Sequence, residues 1–153
     1  MLKPYWEEKC WGRVLHVFAN EHAAVSCLEV EKGFRCSQHF HEERANLFAV
    51  QSGHVVIEMW STVCRHEPAL EIHTDSYPQY VVKTCKRKLS LLEPGATLCV
   101  PSGMWHRFSV LESGQMTEVY WPDRGGKVDI EDIQRFEVGG EFDLEALIEA
   151  IEK

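Results

Sequence analysis

The sequence predicts an all-β fold, a jelly-roll barrel of two antiparallel sheets followed by a single C-terminal α-helix. Three observations predict it. Strand-length stretches with apolar residues alternating or clustered recur at short intervals from Trp11 to Pro122, turn residues separate them, and clear helical spacing is found only after Phe142. At 153 residues the chain fits one domain, 1–153, with the barrel over about 11–122 and a tail and helix over 123–153. No internal repeat is visible.

Taken in order, GRVLHVF and HAAVSCLEV read as the opening strands, parted by the turn Ala19-Asn20-Glu21. Trp6 and Trp11 are placed to seal a sheet edge or meet a partner subunit, since large rings near a terminus commonly close a core. His16 and His22 have no companion at ligand spacing. After the turn Glu31-Lys32-Gly33 a strand runs from Arg35 to His41. Successive side chains on a strand alternate between faces, so His39 and His41 share a face with Arg35 and Ser37, and Cys36, Gln38 and Phe40 take the other. The turn Glu42-Glu43-Arg44 leads to a strand with Asn46, Phe48 and Val50 on one face, near the histidines. Gly53 turns the chain again. In HVVIEMWST, Val56, Glu58 and Trp60 share one face and Val55, Ile57 and Met59 the other; parity does not say which lines the interior.

From Cys64 to Lys88, Pro68, Asp75 and Pro78 break the pattern, and a hairpin insertion bearing His66 and His73 is expected. KLSLL and TLCV follow as strands, with Glu93-Pro94-Gly95 turning between them. Pro101-Ser102-Gly103 turns tightly before His106. In HRFSVL, His106, Phe108 and Val110 face inward together, with Trp105 walling the pocket. MTEVYWP turns in either Glu118 and Tyr120 or Thr117, Val119 and Trp121. DIEDIQRF is read as a short turn or helix over the barrel. In FDLEALIEAIEK, Asp143 caps a helix whose Leu144, Leu147, Ile148 and Ile151 pack on the barrel or a second subunit.

Composition excludes some partners. Sixteen basic against twenty-four acidic residues give a net charge of −8, which leaves no basic excess to displace counterions from nucleic acid. No apolar run approaches the roughly 18 to 20 residues that span a bilayer, so a cytoplasmic location without membrane contact is expected. Six cysteines without a CxxC pair point to reduced thiols, with a Cys64–Cys85 pairing as the one alternative.

Chemistry concentrates in two stretches, Gly33 to Gly53 and Gly95 to Val110. Two imidazoles on one strand face can share a divalent ion, and His106, far along the chain, supplies a third donor. Together the stretches resemble the cupin family, whose motifs read G(x)5HxH(x)3-4E(x)6G and G(x)5PxG(x)2H(x)3N. Gly33, His39, His41 and Gly53 match the first; Gly95, Pro101, Gly103 and His106 match the second. Asn46 stands where the family usually has a metal-binding Glu, and Val110 where it has Asn.

The resemblance implies a metal site of His39, His41 and His106, with Asn46 or water completing it and with zinc, manganese, iron or nickel as the ion. Glu42 and Glu43 are the other candidates to replace the missing carboxylate. Less specifically, WGRV, VPSGMWHRF and EDIQRF resemble phrases of the type II mannose-6-phosphate isomerase group. That likeness implies a small carbohydrate or sugar phosphate as ligand, with Glu58 and Glu118 as the catalytic acid/base candidates; a homodimer is expected alongside. An iron-dependent dioxygenase and a non-catalytic small-molecule binder are the alternatives within the same family.

Overall fold

The computed structural model describes residues 3–60 and 87–152. The insertion expected from Cys64 falls almost wholly outside them, and with it His66, His73 and any Cys64–Cys85 pairing. The described residues form eleven strands and one helix. In chain order these are β1 (Tyr5–Lys9), β2 (Gly12–Ala19), β3 (Ala24–Val30), β4 (Phe34–Arg35), β5 (His39–Phe40), β6 (Arg44–Trp60), β7 (Arg87–Leu92), β8 (Thr97–Val100), β9 (Trp105–Pro122), β10 (Gln134–Arg135), β11 (Gly140–Glu141) and α1 (Leu144–Ile151).

Two long strands organise the barrel. β9 pairs antiparallel with β6 from Trp105 to Pro122, and its other edge serves β5 and β4 in its first half and β3 in its second. β1 and β2 extend the sheet beyond β3, while β7 and β8 pair with β6. One strand thus carries both His106, opposite His39, and Glu118, opposite Phe48.

The sequence separates HRFSVL from MTEVYWP and places a turn at Gly53, whereas the chain runs through both places as strand. The strands stay paired by bulging. Register shifts fall between Val50 and Val55, opposite the stretch around Gly114. A Cβ on Gly114 would lie 2.0 Å from the carbonyl oxygen of Ser52, and Gly53 has φ of 78°, so both positions require glycine. The bulge also changes phase. Before it Asn46, Phe48 and Val50 are buried; after it Val55, Ile57 and Met59 join the apolar core and Glu58 goes to the other face.

The core collects Trp11, Val14, Leu28, Phe48, Ile57, Phe108, Val110 and Met116 from both sides of the barrel. Each such burial stabilises the fold by roughly 1.5–3 kcal/mol. Trp11 seals this core edge-on against Phe108, with centroids 5.0 Å apart, and Trp6 remains half exposed beside the Arg13 guanidinium. β1 was not legible as a strand.

The segment from Arg35 to His41 departs from the expected single strand. It breaks into β4 and β5, and the residues between leave the pleat. Parity therefore fails across the gap: Cys36 enters the core, while Arg35 turns outward to Glu137, 3.6 Å away. At the C-terminus the helix forms as expected. Asp143 accepts a hydrogen bond from the Ala146 amide as its cap, and Leu147 is the buried member of the apolar set. No described helix is long and apolar enough to cross a membrane.

Candidate metal centre

His39 lies on β5, His41 just beyond it, and His106 on β9, where His39 and His106 are directly opposed. All three are buried, and one ligand atom from each falls within 4.8 Å of the others. The distant ring delivered after Pro101 thus meets the pair delivered by strand parity.

Each ring is held by its Nδ1. His39 Nδ1–H donates to the Ser37 carbonyl at 2.7 Å, His106 Nδ1–H to the Met104 carbonyl at 2.9 Å, and His41 Nδ1–H to the Asp132 carbonyl. A carbonyl only accepts, so each Nδ1 carries the proton and each Nε2 keeps its lone pair. His106 Nε2 is buried with no partner. Burial pushes all three imidazoles toward neutrality: His39 is held well below the usual range by desolvation and then by His106 and His41, His41 is pushed down to about 2 by desolvation and then Arg44, and His106 to about 4 by desolvation. Oriented, neutral rings with an orphaned lone pair are the donor set a divalent ion requires. The site fits a metal.

Asn46 is fully buried on the same β6 face as Phe48, whose ring lies 6.1 Å from that of His106. Its Nδ2 donates to Glu118 Oε1 at 2.6 Å, and its Oδ1 has no partner. An unsatisfied amide oxygen is an available hard donor. Glu42 and Glu43 point away, both exposed, with their backbone N–H groups capped by the Asp132 carboxylate.

The two carboxylates singled out from sequence part company. Glu118 and Tyr120 turn inward, which settles the face left open for that strand, and Glu118 lines the cavity with His39 and His41. Burial raises its pKa above the ordinary 4.5, with Arg44 opposing. Glu58 lies on the opposite face of β6, 1% exposed, and is gripped by Arg107 and Arg87. The structure does not bring it to the histidines.

The cavity has a volume of about 630 Å³, within the range of small-molecule sites, and is walled by β1 to β3 on one side and by residues 130–139 on another. Two residues around the site went unread in the sequence. Arg44, assigned to a turn, is buried at the start of β6 on the inward parity of Asn46; that parity was the available signal. Asp132 fixes His41 and the turn after it, and β10 pairs with β5, where a turn or helix was expected.

A jelly-roll barrel with three converging buried imidazoles defines the class: the chain has the cupin fold, and its site fits a metal-binding cupin. Solved structures agree on the fold. The oxalate decarboxylase of Lactobacillus farciminis in its formate complex is 11% identical, with 88% of this chain matching 34% of that one at a TM-score of 0.63. KdgF from Halomonas sp. is 16% identical over 78% of this chain and 87% of its own, with a TM-score of 0.54. CapF with the inhibitor 3-isopropenyl-tropolone is 17% identical over 90% and 35%, with a TM-score of 0.60. This chain spans about a third of the length of the oxalate decarboxylase and of CapF. No protein-family model and no curated protein matches the sequence.

Proposed function

We propose that the protein is a metal-binding cupin acting on a small carbohydrate or sugar phosphate in an isomerase-like proton transfer, with His39, His41 and His106 holding a divalent ion and Asn46 as a further donor. The supporting observation is that Glu118, the carboxylate of raised pKa, lines the same cavity as His39 and His41, two of the three clustered imidazoles. A bound divalent ion supplies Lewis acidity toward the carbonyl and hydroxyl oxygens of an aldose or ketose. Glu118 is the group that moves the proton. Asn46 fixes its Oε1, which leaves Oε2 as the oxygen to take or give the proton. The apolar wall of Phe48 and Phe108 excludes water, and with Val110 buried in place of a polar residue that side of the site is drier than the family pattern.

Proton transfer to or from a positioned carboxyl contributes roughly 10²- to 10⁴-fold. Glu118→Gln is therefore expected to keep its metal and lose turnover by about that factor. The measurement is NMR of aldoses and their phosphates in heavy water, reading deuterium at carbon 2. Because the base form is required and its pKa is raised, wild-type exchange climbs with pH only above the ordinary carboxylate value of 4.5, and the variant lacks that limb. A metal-loaded wild type that exchanges nothing sinks the isomerase reading.

A homodimer belongs to the same proposal. Half-exposed Tyr5 and Trp6 sit on β1, which pairs only with β2 among the described strands and so leaves an edge free for a second copy. Sedimentation velocity is expected to give twice the chain mass, and Trp6→Glu to shift it toward monomer.

A further inference from the structure

Arg44 is the charged group that the proton transfer leaves unused. Its side chain is 7% exposed, yet no carboxylate among the described residues forms an ion pair with it. A buried, unpaired guanidinium is costly unless something else takes up its charge. The surroundings do so only in part: Glu118 feels its charge but lies beyond ion-pair distance, with Oε1 held by Asn46, and the imidazoles that feel it, His41 and His106, are neutral.

The guanidinium is fixed on two sides. Nη1 donates to the carbonyls of Asp129 at 3.1 Å and Ile130 at 3.3 Å, and the cation lies 4.3 Å over the ring of Tyr120. What remains is one edge. Nε has no partner, and Nη2 reaches only His41 Nε2, at 3.5 Å. The N–H groups of Nε and Nη2 point the same way within the guanidinium plane, spaced to meet both oxygens of a carboxylate. That edge adjoins the imidazole cluster through His41.

We infer that Arg44 is a carboxylate anchor, and that the cavity takes a sugar acid or similar hydroxy acid whose carboxylate meets the Nε and Nη2 edge while its hydroxyls face the histidines. This rests on the reading of the cavity as a carbohydrate site and adds the charge of the occupant. It also accounts for a motif position that lacks its usual acid: the ligand brings the negative charge that Asn46 does not.

The test is calorimetric titration of the zinc-loaded protein with D-glucuronate, D-glucose and D-glucose 6-phosphate, alongside Arg44→Gln and Arg44→Lys. Glucuronate is expected to bind at least about tenfold more tightly than glucose, the effect of charge-assisted hydrogen bonds. Both variants are expected to lose that advantage while keeping zinc stoichiometry and glucose affinity. Arg44→Lys preserves the charge but not the fork, and covers the case in which Arg44→Gln fails to fold. Glucose binding as tightly as glucuronate leaves the carbohydrate reading standing and overturns the anchor. So does glucuronate affinity that survives in Arg44→Lys, or a clear preference for the phosphate. No binding by any of the three overturns both.

Discussion

His39→Ala combined with His106→Ala is expected to abolish stoichiometric metal while the protein stays folded. The two rings face each other across the β5 and β9 pairing, their centroids 4.4 Å apart, and their removal leaves His41 as the one imidazole of the three, with the neutral amide of Asn46. Losing only the hydrogen-bond partner of a ligand costs about 10- to 100-fold in affinity, so losing two ligands exceeds the upper figure. The fold survives for a separate reason. The main core runs through Trp11, Phe48, Ile57, Phe108 and Met116, and the truncation enlarges a cavity that already exists. Two backbone carbonyls lose their Nδ1–H donors, at roughly 1–3 kcal/mol each where water cannot reach them. Elemental analysis after gel filtration, with circular dichroism as the folding control, checks both halves. Metal at one equivalent in the folded double variant removes the site.

How much of this was legible in the sequence depended on how regular the backbone is. Parity is a local rule, and it placed His39 with His41, Asn46 with Phe48, and His106 with Phe108 and Val110, because each set sits on an unbroken pleat or differs by two residues. It failed between Arg35 and His39, where the chain leaves the pleat and Cys36 takes the interior that Arg35 was assigned. It was silent about Glu58. The bulge between Val50 and Val55 shifts the inward set from even to odd positions, and a glycine that reads as a turn gives no count of the residues bulged. The remaining gaps are long-range. Asp132 reaches His41 across ninety-one positions, and no periodicity near either residue announces the contact. Arg44 was hidden by its neighbours, since two exposed glutamates before it made a solvated turn the simplest reading.

The second large effect concerns Glu58, and it falls on stability. Glu58 Oε1 accepts from Arg107 Nε at 2.7 Å and Ser109 Oγ at 3.1 Å; Oε2 accepts from Arg107 Nη2 at 3.1 Å and Arg87 Nε at 2.9 Å. Two oxygens thus satisfy four donors under α1, where Leu147 and Asp143 roof the cluster. Removing one member of a buried ion pair costs about 3–5 kcal/mol, because the charge left behind has lost its compensation. Here the lower end applies: Arg87 is 40% exposed and can rehydrate, and Arg107 keeps its pairing with Glu137. Glu58→Ala is expected to lose about 3 kcal/mol, which for a domain of this size lowers the melting temperature by roughly 6–12 °C. Metal content is expected to stay at the wild-type level, since Glu58 and Arg107 pair on the face opposite Met59 and His106. Replacing Glu58 and Arg107 together by methionine restores most of the loss, because neither charge is then stranded. Thermal melts of the single and double variants measure the coupling directly. If Glu58→Gln instead melted like the wild type and lost turnover, the carboxylate would belong to the chemistry, and the arginines would be holding it in place for that purpose.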